Sequence, residues 1–542
     1  MSAFGYRYLY DSVKEKLKRI TTKKDTDVIG QIWDGSVNEK SDFELIKRYY
    51  DIQQKNGCAQ NFVDETCWSD LDMDEVFHRM DRNITPPGRQ FLYHLLRTAS
   101  MHGNEDAYKN YEFFKDHPEV RTKIQRILLK LRTPSAYFLA DLVFSELPDK
   151  PRWFFLFPLS AIAMLALVLL TSFKPVFVLA VLLLGLINLL VHRHYTYKII
   201  GFMPNIHDLI GLLNAAIQLS GIRSGNNVPN IDALRKHEAT ARFVKKKIGL
   251  LNIDSKTLVE PLASGFEYLN VFCLMNLITF FRSITVIRQH KAELQELFNA
   301  VASLDATISV ASYMSSLPFY CKPDFNDDNV IDTACLYHPL LANPVGNSFE
   351  LANKSCLITG SNMAGKTTFM KTVGLNIIVG KALGICLAKQ ANLPDVTVRT
   401  SIKRMDSIND DKSYYFKEIE AILTFLQLSP EPSRYLFLID EIFRGTNTIE
   451  RLSASTAVLD YLSSDNMVFV TTHDIELQSM LGKNFEMFHF SEMIKNNEHY
   501  FDYKIKSGPC TTRNAIRLLA LKGYPESITN HAIDISRTLS DN

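Results

Sequence analysis

One short segment constrains the fold of this chain more than any other feature. It follows the apolar run Ser355–Thr359 and consists of Gly360, Ser361, Asn362, Met363, Ala364, Gly365, Lys366, Thr367 and Thr368. The two glycines let the backbone curl so that successive N–H groups face a polyphosphate. Lys366 then reaches the β- and γ-phosphates, and the Thr367 hydroxyl is placed to bind Mg²⁺. The segment therefore predicts a phosphate-binding loop between a strand and a helix, with ATP and Mg²⁺ as ligands.

Two carboxylates stand at the end of a second apolar run. Residues 435–439 are apolar and are followed by Asp440 and Glu441. A continuous apolar run is typical of a strand that is buried on both faces. In a phosphate-binding enzyme Asp440 would hold the Mg²⁺ shell, and Glu441 would orient or deprotonate the attacking water. An ordinary solvated strand end is the alternative, and the loop at residues 360–368 favours the catalytic interpretation.

A histidine follows a third apolar run. Residues 467–470 lead into Thr471, Thr472 and His473, and the imidazole would contact the γ-phosphate or the water. A structural hydrogen bond at a strand end is the alternative role for this side chain. The order of loop, acid strand and histidine strand predicts a mostly parallel sheet flanked by helices, which holds its ligand at the carboxyl ends of the strands.

These residues resemble the ATPase site of the MutS family of mismatch-repair proteins. The family's loop usually reads Gly-Pro-Asn-Met-Gly-Gly-Lys-Ser-Thr, and Asn362 and Met363 are the most specific matches to it. Residues 440–447 resemble the family's Asp-Glu-Leu-Gly-Arg-Gly-Thr-Ser motif, and the pair Thr472-His473 resembles its Thr-His switch. The resemblance implies an ATPase in which Glu441 and His473 are catalytic and Thr367 and Asp440 bind the metal.

The same resemblance implies a homodimer. Ser413 is similar to the serine of the family's signature loop, which reaches the nucleotide of the partner subunit, although Tyr414 and Tyr415 depart from the pattern. Residues 503–508, 513–516 and 523–525 are similar to the helical tail that often completes the family's dimer. We therefore expect two composite ATP sites.

The likeness extends into the first half of the chain with a departure that concerns function. Residues 68–89 are similar to the opening of the MutS core domain, and residues 304–323 resemble the end of its lever helix. The Gly-x-Phe-x-Glu motif, by which mismatch-recognising members insert an aromatic wedge into a base step, is missing near the start. DNA is the family's default partner, and this departure favours branched or undamaged duplex over mismatches.

Two adjacent uncharged apolar stretches, residues 153–172 and 176–191, are unusual for such an enzyme. As a helix, the first is long enough to cross a hydrocarbon core of roughly 30 Å. The second is slightly short unless Phe173 or residues 192–195 lie at the interface. A buried helical hairpin of a large soluble core is the alternative. The pattern favours a two-helix transmembrane hairpin that contacts the lipid bilayer through residues 153–191.

Charges around the hairpin predict its orientation. Basic residues flank its two outer ends, at Lys150, Arg152, Arg193 and Lys198, whereas the turn carries only Lys174. The positive-inside rule then places the hairpin in the cell (inner) membrane, with both termini and the ATPase domain in the cytoplasm.

Composition adds two constraints. The 542 residues include 60 basic and 59 acidic side chains, and the formal net charge of +1 supplies no global field that would attract nucleic acid, which weakens a role on DNA. The eight cysteines show no Cys-x-x-Cys spacing and are interpreted as reduced thiols.

A long helix is predicted before the phosphate-binding loop. Its apolar positions recur at steps of three and four and are Leu294, Leu297, Val301, Leu304, Ile308 and Ala311. In MutS-like proteins such helices act as levers, and a static bundle core is the alternative.

These patterns divide the chain into five regions. They are an N-terminal helical region (1–66), the first part of a MutS-like core (67–150), the transmembrane hairpin (151–195), the core and lever helices (196–335), and the ATPase domain with a C-terminal helical dimerisation tail (336–542). The expected fold is thus an α/β P-loop NTPase domain that follows a mainly α-helical core.

A membrane-anchored, MutS-like ATPase coupled to DNA is the leading hypothesis. A transport or membrane-remodelling ATPase is the alternative, but one hairpin offers little translocation path, and the Leu-Ser-Gly-Gly-Gln signature of exporters is missing before the acid strand. A scaffold that binds nucleotide without hydrolysing it is a third reading, which the intact set of Lys366, Asp440, Glu441 and His473 argues against.

Overall fold

The structure, a computed structural model, describes residues 25–35, 42–58, 63–99, 106–199, 202–222, 228–249, 270–361, 364–402, 414–429, 434–443, 447–481, 483–495, 498–509, 519 and 523–540. Their contacts group into two compact units. The helical unit comprises the described residues of Met1–Gln60, Met80–Leu95 and Lys109–Ser316. The sheet unit comprises those of Asn61–Arg79, Leu96–Tyr108 and Leu317–Asn542.

Helices account for the regular structure of the described residues up to position 315. The first of them are α1 (Asp25–Trp33), α2 (Phe43–Ile46), α3 (Arg48–Lys55), α4 (Glu65–Asp70), α5 (Met73–Met80), α6 (Pro86–Thr98), α7 (Ala107–Asp116), α8 (Pro118–Leu128) and α9 (Leu139–Phe144). Those that follow are α10 (Leu156–Thr171), α11 (Phe177–Ile199), α12 (Met203–Ser220), α13 (Asp232–Lys236), α14 (Glu238–Gly249), α15 (Met275–Gln289) and α16 (Lys291–Ser315). Two 3₁₀ turns, Leu129–Leu131 and Pro134–Phe138, join α8 to α9.

The two apolar stretches form α10 and α11, but their lengths differ from the sequence expectation. The first helix has 16 residues, because residues 152–155 form turns before it begins, and it is roughly 24 Å long. The second has 23 residues and extends past the apolar stretch to Ile199. Within the described part of the chain, α11 is the one helix long and apolar enough to cross a membrane, on length and composition alone.

The predicted long helix is confirmed as α16. Its apolar seam is buried along its whole length, with every seam residue at most 1% exposed. On the same helix the buried carboxylate of Asp305 accepts hydrogen bonds from the backbone N–H groups of Ile84 and Thr85, at 3.2 and 2.7 Å, and from the Thr85 hydroxyl at 2.7 Å. A Cβ on Gly88 would lie 2.4 Å from this carboxylate, so glycine is required there. The long helix is therefore hydrogen-bonded to the two residues that immediately precede α6.

The sheet unit contains two sheets. Its strands are β1 (Asp324–Asn326), β2 (Val330–Leu336), β3 (Asn347–Ala352), β4 (Ser355–Thr359), β5 (Gln390–Pro394), β6 (Thr397–Ser401), β7 (Tyr435–Asp440), β8 (Met467–Thr472), β9 (Phe485–Lys495) and β10 (Glu498–Ser507). The larger sheet has the order β10-β9-β4-β8-β7-β6, and all its pairs are parallel except β9 with β10. The mostly parallel sheet predicted from the motif order is confirmed.

The smaller sheet was not predicted. It adds residues before position 336, the predicted start of the ATPase domain, to the sheet unit. Its strand order is β1-β5-β2-β3, so the two strands that precede residue 336 are paired within the sheet unit. Among the described residues after β4, the helices are α17 (Lys366–Leu383), α18 (Tyr414–Leu428), α19 (Thr448–Leu462), α20 (Leu477–Met480) and α21 (Glu526–Ser540). Residues 503–507, which were expected in the helical tail, instead belong to β10, because this segment pairs with β9.

Residues 63–79 also lie in the sheet unit, although the sequence division assigned most of them to the helical core. The carboxylate of Asp70 accepts the backbone N–H of Ile402 at 2.9 Å. Asp72 forms an ion pair with Lys371 of α17 at 2.8 Å. These partners are more than 290 positions away in the sequence, and no local pattern reveals such a pairing.

Candidate nucleotide site

The predicted phosphate-binding loop runs from the end of β4 to the start of α17. Gly360 has a φ of +136°, and a Cβ there would lie 2.5 Å from the carbonyl oxygen of Phe490. Gly365 has a φ of +102° and precedes Lys366, the first residue of α17. The buried hydroxyl of Ser361 finds no hydrogen-bond partner among the described residues. The loop thus combines a backbone that only glycine adopts freely with a free polar group and a helix N-terminus, as a phosphate ligand requires.

Lys366 is held inside the turn of this loop. Its side chain is 3% exposed, and its ammonium group donates to the carbonyl oxygen of Gly360 at 2.5 Å. The same nitrogen lies 3.4 Å from Nε2 of His473. The cation is therefore positioned by its own loop and directed toward the end of β8.

The two predicted acids lie at this edge of the sheet and have different partners. Asp440 accepts hydrogen bonds from the hydroxyls of Thr367, at 3.1 Å, and Thr471. Glu441 is 7% exposed, has a φ of +59°, and donates its backbone N–H to the carbonyl oxygen of Thr471 at 3.0 Å. The oxygen atoms of Thr367 and Asp440 are hard donors of the kind that Mg²⁺ prefers, so these two residues fit a magnesium ion.

His473 links the second acid to the lysine. Its Nε2 lies 3.1 Å from Oε1 of Glu441 as well as 3.4 Å from the Lys366 ammonium group. A single ring nitrogen either donates to the carboxylate or accepts from the ammonium group, so the two contacts belong to different protonation states of Nε2, which in a neutral ring are its two tautomers. The imidazole is 41% exposed, which leaves it accessible to a ligand and to water.

A second layer of contacts, which the sequence interpretation missed, supports this arrangement. The backbone N–H of Phe443, a residue with a φ of +58°, donates to the carboxylate of Glu418 on α18. Arg451 of α19 binds both carboxylate oxygens of Asp474, next to His473, at 2.9 and 2.8 Å. The turns after β7 and β8 are thus each fixed by a charged side chain from a helix.

A cavity of about 380 Å³ adjoins the loop, and it too was not predicted. It is lined by Leu336, Tyr337, His338, Leu341, Ala342, Asn343, Val345, Asn347, Gly365, Thr368, Phe369, Thr372, Phe490 and Tyr503. Burial, with a smaller effect of the Lys371 charge, lowers the pKa of His338 to about 4, so this wall is neutral at physiological pH. The volume lies within the range of small-molecule sites. In the sequence, the one local signal near this cavity is the pair Tyr337-His338 before a proline, and that pair does not indicate a ligand site.

The structure brings together Lys366, Thr367, Asp440, Glu441 and His473, as the motifs predicted. It also describes Ala364, which is buried beneath the loop, and Thr368, which faces the cavity. Other predicted positions lie outside the described residues, namely Asn362, Met363 and Ser413. Their roles stay predictions.

We predict that Gly360→Ala weakens nucleotide binding by at least about tenfold, because the added methyl group must displace the Phe490 carbonyl from β9. Gly508→Ala is the matched control, since Gly508 also has a positive φ, +91°, but open space around its Cβ position. Titration with a fluorescent ATP analogue measures both. Equal affinities for the two variants would contradict the steric argument.

Sequence comparison agrees with this geometry for the sheet unit. Residues 356–540 match the family MutS domain V. The DNA mismatch repair protein MutS of Lachnoclostridium phytofermentans is 28% identical over 272 residues, which are 47% of this chain and 29% of that protein. The corresponding protein of Leuconostoc mesenteroides is 30% identical over 264 residues, 46% of this chain and 30% of that protein.

A eukaryotic relative gives the same picture. MutS protein homolog 4 of Mus musculus is 29% identical over 328 residues, which are 57% of this chain and 34% of that protein. The chain therefore spans about a third of the length of the relatives it matches. Within that span, residues 356–540 form a P-loop ATPase domain homologous to domain V of the MutS proteins.

Proposed function

We propose that this chain hydrolyses ATP with Mg²⁺ at the site between β4, β7 and β8. The observation that carries the proposal is the meeting of Lys366 and Glu441 at His473, with contacts of 3.4 and 3.1 Å. The loop N–H groups and the Lys366 ammonium group bind the β- and γ-phosphates and stabilise the charge that develops on them. Thr367 and Asp440 hold the Mg²⁺, which supplies charge neutralisation between the phosphates when bound.

Glu441 is the general base that activates the attacking water. Its carboxylate is almost fully buried and is oriented by the imidazole of His473, so it is available to accept a proton from water that attacks the γ-phosphate. His473 in its neutral form either steadies this carboxylate or senses the γ-phosphate beside Lys366. The uncharged cavity next to Gly365 is suited to the nucleoside end of ATP, because aromatic and aliphatic side chains form most of its lining.

We predict that Glu441→Gln lowers the kcat for ATP hydrolysis at least about 100-fold while the affinity for ATP changes little, because the amide keeps the shape but accepts no proton. Glu450→Gln, an exposed acid in the first turn of α19, is the control and should hydrolyse ATP at the normal rate. Single-turnover hydrolysis and nucleotide binding are measured on both. Normal turnover in Glu441→Gln would remove the assigned base.

We further propose that the active form is a homodimer that acts on DNA. One face of α18 exposes Phe416, Ile419 and Leu423, at 47, 37 and 49%, and an apolar stripe of this kind is suited to a second copy of the chain. Two of the matched relatives are named as DNA mismatch repair proteins, which supports DNA as the class of partner. Branched or intact duplex is the form of DNA that we propose.

We predict that duplex or branched DNA stimulates ATP turnover and that this stimulation falls steeply between about 50 and 200 mM salt, because phosphate contacts release counterions. Single-stranded DNA, protein-free vesicles and a buffer blank are run in parallel. If vesicles stimulate turnover and DNA has no effect at any salt concentration, the alternative of a membrane-remodelling or transport ATPase replaces the role on DNA.

We also propose that α10 and α11 insert into the cytoplasmic membrane. Both helices expose large apolar side chains along their length, among them Leu159, Ile162, Leu179 and Leu183 at 58 to 74%. Only 11% of the most apolar stretch of α11 is buried in the protein. This low burial argues against the interpretation of α11 as a core helix of a soluble domain. The basic flanks described above favour an orientation with both ends of the hairpin in the cytoplasm.

We predict that the double variant Leu165→Lys/Leu183→Lys leaves the membrane fraction, because two lysines near the centres of the helices cost about 6 kcal/mol in the bilayer. Ile449→Lys/Tyr461→Lys is the control, since these side chains are also more than half exposed, at 79 and 54%, but lie in the sheet unit. Alkaline extraction of membranes followed by immunoblotting measures the distribution. Equal retention of both variants would contradict insertion.

A further inference from the structure

A third apolar segment lies beside the hairpin, in the chain that leads into α15. Residues 270–281 contain no charged side chain, and Arg282 is the first charge that follows. Phe272 and Met275 are the exposed residues among them, at 37 and 41%. The two most exposed side chains of this segment are therefore apolar, like those of the neighbouring helices α10 and α11, while Asn276 and Thr279 are partly exposed.

Aromatic contacts show which part of this segment lies beside the outer ends of the hairpin, near residues 153 and 195. The ring of Phe281 lies 5.9 Å from those of Tyr195 and Phe154, and Trp153 lies 5.6 Å from Tyr195. Trp and Tyr concentrate at the boundary between headgroups and acyl chains, and the exposed Arg282 is suited to the same level. Residues before Phe281 consequently lie on the membrane side of this aromatic layer.

Contacts further along the hairpin show how far the segment extends. The side-chain amide of Asn188, 2% exposed, donates to the carbonyl oxygen of Phe272 at 2.6 Å and accepts from the Ser160 hydroxyl at 2.7 Å. The ring of Phe272 packs so closely on Gly185 that a Cβ there would lie 3.3 Å away. Gly185 precedes Tyr195 by ten residues, which is roughly 15 Å along a helix. Phe272 is thus about half a hydrocarbon thickness from the aromatic layer.

The bond from Asn188 solves a problem that a membrane would impose on this chain. Phe272 is the last residue of a helical stretch that ends before α15 begins, and a carbonyl group at a helix C-terminus has no N–H partner within its own helix. A backbone carbonyl exposed to acyl chains costs several kcal/mol, and non-helical backbone is tolerated at this depth only where protein covers it. An asparagine in an otherwise apolar helix supplies that cover. In water the carbonyl would need no such partner.

We propose that residues 270–281 form a third membrane-embedded segment, which enters from the cytoplasmic face, reaches about the middle of the bilayer without crossing it, and is covered by lipid acyl chains at Phe272 and Met275. This inference rests on the proposed insertion of α10 and α11. Only His290 separates α15 from the buried long helix α16. In this arrangement the membrane surrounds the start of α15, the helix that leads directly into the predicted lever helix α16, in addition to the two helices of the anchor.

Accessibility of introduced cysteines in proteoliposomes tests the proposal on the full chain. The variants are Phe272→Cys and Met275→Cys in the segment, Leu179→Cys in the hairpin and Arg288→Cys on the body side of α15, where the side chain is 48% exposed. A membrane-impermeant maleimide is applied, and peptide-resolved mass spectrometry reports labelling at each site relative to that in SDS. We expect labelling at positions 179, 272 and 275 at least about fivefold below that at position 288.

The outcomes separate this inference from the proposal on which it rests. Labelling at 272 and 275 equal to that at 288, with 179 protected, would overturn the third segment and leave the hairpin in the membrane. Labelling at 179 as well would overturn both. In Asn188→Leu, which keeps the hairpin apolar, we expect 179 to stay protected while labelling of Phe272→Cys rises several-fold. Unchanged protection of position 272 in that background would overturn the role of the Asn188 bond in holding the segment at depth.

Discussion

The parallel register of three buried strands determines where every group of the nucleotide site lies. Thr359 at the end of β4 pairs with Thr472 of β8, and Asp440 at the end of β7 pairs with Thr471. Because β8 lies between the other two, the phosphate-binding loop and the acids end at one edge, on either side of His473. A shift of one residue in either pairing would turn Asp440 or the loop to the opposite face of the sheet. The chemistry therefore depends on buried residues that never contact the nucleotide.

Backbone conformation then separates the roles of the two acids. Asp440 is the last residue of β7 and keeps an extended backbone, so its carboxylate stays among hydroxyl groups. Glu441 and Phe443 both adopt a positive φ, a conformation that costs non-glycine residues about 1–3 kcal/mol each. The backbone N–H groups of Glu441 and Phe443 donate hydrogen bonds to the Thr471 carbonyl and the Glu418 carboxylate, and these bonds offset that cost. The strain places the second carboxylate against His473 instead of beside the first.

The sequence predicted the parts of this structure that short segments specify. The loop around Lys366 and the apolar runs before Asp440 and His473 are local patterns, and each fixes one strand end. The cavity beside Gly365, the pairing of Arg451 with Asp474 and the position of Asp70 beside Ile402 join residues that are distant in the chain, and no periodicity encodes them. The lengths of the two hairpin helices were predicted from apolar composition alone. Composition does not reveal that residues 152–155 form turns, so that α10 begins only at Leu156, or that α11 continues through residues 192–199, most of which are polar.

Magnitudes favour a bilayer over water as the surroundings that we propose for the hairpin. Burial of one Leu, Ile or Phe side chain contributes about 1.5–3 kcal/mol, and a domain is stable by only about 5–15 kcal/mol in total. Burial of the exposed apolar side chains of α10 and α11 would therefore contribute more free energy than the whole stability of a typical domain. The inward-facing polar groups of Ser160 and Asn188 point the same way, since a helix in lipid turns its polar groups toward its protein neighbours and a helix in water turns them outward. An apolar exterior around a polar interior contact is the arrangement that acyl chains stabilise.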